Sequence, residues 1–194
     1  MEKLTRDDLY SLEQYADQRA DFKARVLEHK KDRQVYLDDH HTLYFEDRMT
    51  MQYQIQEMLR IEKIFEAEGI EEELSAYNPL IPDGANLKAT YMIEYGDIEE
   101  RKKALAQLIR VEDKVWVQVD GFDKSYAIAD EDMDRTTEEK TSAVHFMRFE
   151  FSPEMIEAAK AGVDINMGVD HDNLNISQSP IPRNVRDSLV ADFD

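Results

Sequence analysis

Two glutamates on one apolar helix stripe have the types and spacing that could do chemistry. Residues 48–68 keep a helical period. At about 100° per residue, Met51, Ile55, Met58 and Phe65 share one face. Glu62, three turns along from Met51, falls about 20° from it on the wheel, in the middle of that face, and Glu66 falls about 60° from it. A lone carboxylate among apolar side chains must be paired, protonated or metal-bound, because burying an unpaired charge costs several kcal/mol. The two acids would also repel each other at this spacing.

A histidine extends the set. In the strand expected over 142–151, His145 shares a face with Ala143, Met147 and Phe149, and Arg148 lies on the other face. Two carboxylates and an imidazole make a hard-metal or general-base site. Glu62, Glu66 and His145 are therefore the candidate catalytic and metal-ligating residues, with a divalent metal as the implied cofactor. The competing expectation is that Glu62 is a boundary residue whose stem packs while its carboxylate meets an arginine or solvent. His145 would then be a satisfied core histidine.

Other polar clusters read as structure. Asp38-Asp39-His40-His41 reads as a solvated hairpin turn, where aspartate bonds its own backbone. Asp170-His171-Asp172-Asn173 lacks the closing glutamate of a calcium loop. No phosphate-binding glycine loop, nucleophile elbow, H-E-x-x-H or E-x-x-H motif is present.

Composition narrows the classes further. The chain has 194 residues, 24 Lys+Arg against 43 Asp+Glu, a net charge of −19 and no cysteine. Thiol catalysis, disulfides and Cys-ligated clusters are excluded. The acidity argues against nucleic acid and against an anionic membrane surface as partners. No apolar run is long enough for a membrane span or a secretory leader, so a cytoplasmic location is expected.

The positioning elements follow from caps and periods. Thr5 with Asp8 forms a capping box, and helices are expected over 5–16, 18–31 and 48–68, the last closed by Gly69. A hairpin turns at 38–41, and a strand with one buried face runs from Leu87 to Tyr95. Asp97 caps a helix, and Val115, Val117 and Val119 alternate into a second hairpin whose partner lies near 125–129. Residues 130–141 form a charged loop before the strand 142–151, and Ser152-Pro153 starts another helix. Residues 163–181 show no sustained period, and Val185, Leu189 and Phe193 suggest a last short helix. The order predicts an α+β fold, an antiparallel sheet of about five to six strands with helices packed on one face. One domain over 1–162 is expected, followed by a C-terminal arm, 163–194.

The stretches QYQIQEMLRIEKIF, AYNPLIPDGANLKATYMIEY and EKTSAVHFMRFEF, in that order and spacing, resemble an uncharacterised bacterial family, domain of unknown function 3501, over about residues 3–160. The resemblance implies a genomic setting beside rubrerythrin-like proteins and iron–sulfur oxidoreductase subunits, and hence a supporting role in redox or oxidative-stress metabolism. It assigns no site residue.

Three functional expectations result. The first is an accessory or binding protein that contacts a protein partner or its own copy, with the arm wrapping that partner. The second is a metal-dependent enzyme using Glu62, Glu66 and His145. The third is a small-molecule pocket between the long helix and the sheet, lined by Tyr91, Tyr95, Trp116 and Phe146.

Overall fold

Period-two burial along the strands and well-capped helices produce an α+β fold with two antiparallel sheets. The computed structural model describes residues 2–194. A 3-10 turn at Arg6–Asp8 leads into helix α1 (Leu12–Lys31) and the hairpin β1 (Gln34–Tyr36) and β2 (His41–Glu46). Helices α2 (Arg48–Glu62) and α3 (Ala67–Tyr77) precede strand β3 (Asn86–Ile93) and helix α4 (Ile98–Gln107). After a 3-10 turn at Val111–Lys114 come β4 (Val115–Val119) and two short strands, β5 (Ser125–Tyr126) and β6 (Ile128–Ala129). The chain closes with β7 (Val144–Glu150), α5 (Pro153–Lys160), β8 (Ile165–His171), β9 (Leu174–Gln178) and α6 (Arg183–Val190).

The first sheet has the order β1-β2-β3-β7-β6, and the second β5-β4-β8-β9. Where one sheet was expected there are two, and their inner faces share one core. Leu43, Leu87, Tyr91 and Phe149 come from the first; Val115, Val117, Ile165, Met167 and Val169 come from the second. The stretch 125–129 belongs to both sheets: β5 pairs with β4, the Ala127 N–H donates to Val115, and β6 pairs with β7.

The expected C-terminal arm is instead part of the body. Strand β8 pairs with β4 from Val115↔Val169 to Val119↔Ile165 and with β9 on its other side. It escaped sequence reading because residues 165–169 are all buried, so no alternation marks the strand. Gly168 sits where neighbours crowd the backbone: a Cβ there would come within 2.4 Å of the Ile176 carbonyl oxygen and 2.6 Å of the Trp116 ring.

Several caps form as their residues dictate. Asp97 accepts from the N–H groups of Glu99 and Glu100, and Ser152 from that of Met155. The helix expected over 48–68 breaks, however. Lys63 takes a left-handed conformation (φ 56°) and the Ile64 N–H reaches back to the Leu59 carbonyl, 2.9 Å, which closes α2 without a glycine. Gly69 lies inside α3 instead, where a Cβ would come within 2.7 Å of the Ile64 side chain.

Buried charge ties the elements together. Arg33, 2% exposed, donates to the carbonyls of Phe45 (3.1 Å) and Glu46 (3.2 Å) and pairs with Asp192 (2.5 Å). Asp47 lies 3.4 Å from the same guanidinium, caps α2 through the Thr50 N–H and meets His29. Helices α1 and α2 are clamped by Glu57, which accepts from Arg19 (2.7 and 2.9 Å) and from the Tyr15 hydroxyl (2.8 Å).

The Arg19 hydrogen bonds, helped by Tyr15 and Arg60 and opposed by burial, hold the Glu57 carboxyl at about 2, below its ordinary 4.5. A depressed folded-state value stabilises above the unfolded value, and that contribution is lost as pH falls from about 4.5 towards 2. Arg19 is a third exposed, so solvent screening leaves about 1 kcal/mol or less. Urea denaturation at about pH 6 and about pH 3 should therefore show a smaller acid loss for Glu57→Gln than for the parent.

Candidate metal centre

Strand β7 presents His145, Met147 and Phe149 to the core and Val144, Phe146 and Arg148 outward, as its alternating burial requires. His145 is fully buried, opposite Tyr91 on β3, which is itself opposite Leu43 on β2. The rings of His41, Tyr91 and His145 form a cross-strand stack with centroids 6.1 and 6.4 Å apart.

Two carboxylates converge on this histidine from outside its strand. Asp130 follows β6 directly and adopts φ 53°, a left-handed conformation that aspartate tolerates better than most residues. Its N–H still bonds the Phe146 carbonyl, 2.8 Å, so the chain turns there and the carboxylate folds back over β7. Oδ2 lies 2.6 Å from His145 Nδ1, and Oδ1 accepts from the Phe146 N–H, 3.1 Å. Glu112, 4% exposed, stands on the 3-10 turn after α4, behind Arg110, which is also left-handed (φ 67°). Its carboxylate accepts from Thr136 Oγ1 (2.5 Å) and Thr141 Oγ1 (3.3 Å) and lies 3.9 Å from His145 Nε2.

The donor set is compact. One ligating atom each from Glu112, Asp130 and His145 can be chosen so that all three lie within 4.8 Å of one another. Both ring nitrogens face acceptors: Nδ1 the Asp130 carboxylate, and Nε2 the Ser142 carbonyl at 3.1 Å, beside the Thr141 hydroxyl at 2.8 Å. A cation binding there would replace one of these hydrogen bonds to the ring. Positive charge from side chains is scarce. Arg135 reaches Asp130 at 3.2 Å but makes its shorter contacts, 2.5 and 2.6 Å, to Asp132. Beside the cluster opens a cleft of about 170 Å³ lined by Arg110, Glu112, Asp113, Ala129, Asp130 and Asp134. Two of the three non-glycine residues with positive φ among those described, Arg110 and Asp130, line it.

Of the residues expected from the sequence, only His145 belongs here. Glu62 ends α2, Glu66 stands just before α3 with no capping bond from its side chain, and both are exposed. The break at Lys63 takes Glu66 off the stripe, so the structure does not bring Glu62 and Glu66 to His145. A catalytic or metal site of those three residues is therefore not formed. His41 is another correction. It is 1% exposed rather than solvated, with Nδ1 2.8 Å from Asp38. Burial pushes its ring down against the pull of Asp38. Burial also pushes Asp38 up, but hydrogen bonds from His40 and His41 together hold it below its ordinary value. The expected aromatic pocket is dispersed: Tyr91 faces the core, Trp116 lies in the second sheet, and Phe146 faces outward.

Glu112 and Asp130 were missed because they belong to a turn and a charged loop with no period. The available clue was that Asp130 opens an acidic run immediately after a strand.

Comparison with known proteins agrees with this architecture. The chain belongs to the family described as "Protein of unknown function (DUF3501)", which matches residues 3–193. A crystal structure of a novel protein of unknown function from Burkholderia pseudomallei is similar to it, with 51% identity over 100% of both chains and a TM-score of 0.93. No curated protein matches.

Among the described residues, His41 Nε2 and Tyr91 Oη are the buried side-chain polar atoms without a hydrogen-bond partner. Burial pushes the Tyr91 hydroxyl far up, so it stays protonated. Because an unpaired buried hydroxyl is a cost, Tyr91→Phe should leave stability unchanged or raise it by up to about 1 kcal/mol. Urea denaturation measures this, and a large loss would mean that the hydroxyl has a partner in solution.

Proposed function

We propose that this chain is a metal-binding protein whose centre is Glu112, Asp130 and His145. The observation that supports this reading best is the convergence of three donor atoms within 4.8 Å in a region nearly closed to solvent. One imidazole and two carboxylates suit a first-row divalent ion such as Mn, Fe or Zn, and no thiolate is present to favour a softer one. The acidic residues Asp113 and Asp134 at the cleft favour a cation on approach.

The role we infer is accessory, binding rather than turnover. Thr141, His145 and Glu112 are 1%, 0% and 4% exposed, and the adjoining cleft of about 170 Å³ is smaller than the roughly 300 Å³ at which small-molecule sites begin. A protein partner is supported by Ile61 and Phe65, which are 62% and 72% exposed. Phe65 also lines a groove of about 610 Å³ between the N-terminal segment and the end of α2. Light scattering of the parent and of Phe65→Asp checks the self-contact: a parent dimer that becomes a monomer supports it, and a parent that is already a monomer removes it.

The metal reading is tested on tag-free protein equilibrated with Mn, Fe(II) or Zn, by elemental analysis and by calorimetry in buffers of different ionisation enthalpy. About one equivalent should bind. His145→Ala and Asp130→Asn should each weaken binding by at least about tenfold. Glu62→Gln and Glu66→Gln should not change it. Binding that survives both His145→Ala and Asp130→Asn, or no binding to the parent, overturns the proposal.

A further inference from the structure

The outward face of the first sheet, opposite the core, is only partly covered. Two clefts lie between it and the layer formed by α2, α3 and the turn at Asn78–Leu80, with volumes of about 380 and 510 Å³. They share Tyr77, Leu80 and Phe146, so they make one trough along the sheet. The floor comes from the outward residues of β3 and β7: Lys88, Thr90 and Met92 beside Val144, Phe146 and Arg148. Its size and largely apolar lining with a few polar groups match small-molecule sites.

Lys88 is the unusual group in it. The chain holds 43 acidic residues against 24 basic ones, yet the half-buried Lys88 ammonium makes no hydrogen bond and no ion pair among the described residues. The acids that could pair with it are otherwise engaged. Glu46, directly opposite on β2, accepts from Thr50 (2.7 Å) and Thr90 (3.0 Å). Glu131 and Glu150 both bind Arg148, the residue opposite Lys88 on β7. Burial, followed by the Arg148 charge, pushes the Lys88 amine down against the weaker pull of Glu131 and Asp83, so an incoming anion would be favoured at Lys88.

We propose that this trough binds an amphipathic organic anion, a medium-chain monocarboxylate, with its carboxylate on Lys88 and its hydrocarbon along Leu80, Phe146 and Met92. From Lys88 to Met92 the floor spans four residues, about 13 Å at a strand's rise. The charge and the apolar length are both needed, since a single surface ion pair is worth little. This site is separate from the buried centre: Phe146 and Arg148 point away from the core that His145 enters.

Calorimetry on the full chain tests the assignment, with dodecanoate below its micellar concentration as the probe, and dodecanol and acetate for comparison. Dodecanoate should bind one to one, at least about tenfold more tightly than dodecanol, and acetate should not bind measurably. Lys88→Met should weaken dodecanoate by about tenfold or more and leave dodecanol unchanged, and Lys88→Arg should restore most of the affinity. Leu80→Trp, which fills the trough, should abolish binding of both long-chain probes. Unchanged melting temperatures show that the variants fold, and Lys88→Gln replaces Lys88→Met if that one does not. Equal affinities for dodecanoate and dodecanol, dodecanoate binding indifferent to Lys88, or no binding to the parent would each overturn the proposal.

Discussion

The pleat of β7 divides the molecule's chemistry. Side chains on a strand point alternately to opposite faces, and a slip of one residue would exchange them. In the observed register, His145 enters the core beside Asp130 and Glu112, while Phe146 and Arg148 floor the outer trough. The register is secured from both sides, by seven residue pairs from Asn86↔Glu150 to Met92↔Val144 and by two more with β6. Shifting it would put an arginine into an apolar core and a histidine onto the surface, at a cost of several kcal/mol for the buried charge.

The same logic governs the placement of charge in so acidic a chain. Buried arginines are affordable only where every donor finds an acceptor. Arg33 finds its acceptors on two distant stretches of chain, the consecutive residues Phe45, Glu46 and Asp47, and Asp192 near the C-terminus. Arg186 does the same between α6 and the end of α5, donating to the carbonyls of Val163 and Ala159. Both pin the last helix to the body, which makes residues 183–194 integral to it. Asp192 shows the strain of this arrangement: burial pushes its carboxyl up, and Arg33 only partly offsets that.

Local chemistry was legible in the sequence wherever neighbours in the chain decided it. The caps at Asp97 and Ser152, the aspartate turn at Asp38 and the inward face of His145 are of this kind. The misreadings have tertiary causes. A helical wheel assumes an unbroken helix, and Lys63 leaves the right-handed region with no glycine or proline to announce it. Strand β8 is buried throughout, so its pattern does not differ from that of an irregular apolar run. Glu112 and Asp130 are eighteen positions apart in the chain and meet only because the 3-10 turn at Val111–Lys114 packs beside β6. The clamp of Arg33 on Asp192 likewise spans most of the chain and leaves no local trace.

The stretch 125–129, which leaves one sheet and joins the other within five residues, has a mechanical consequence. It acts as a shear pin: neither sheet can slide past the other without tearing ladder bonds at Trp116↔Tyr126 or Ile128↔Arg148. The neighbouring segment 130–141, which covers the buried imidazole, is fastened beside that pin: Asp130 bonds the His145 ring and both backbone groups of Phe146, and the hydroxyls of Thr136 and Thr141 reach Glu112. The cover of the imidazole is thus anchored at the place where the two sheets are locked together.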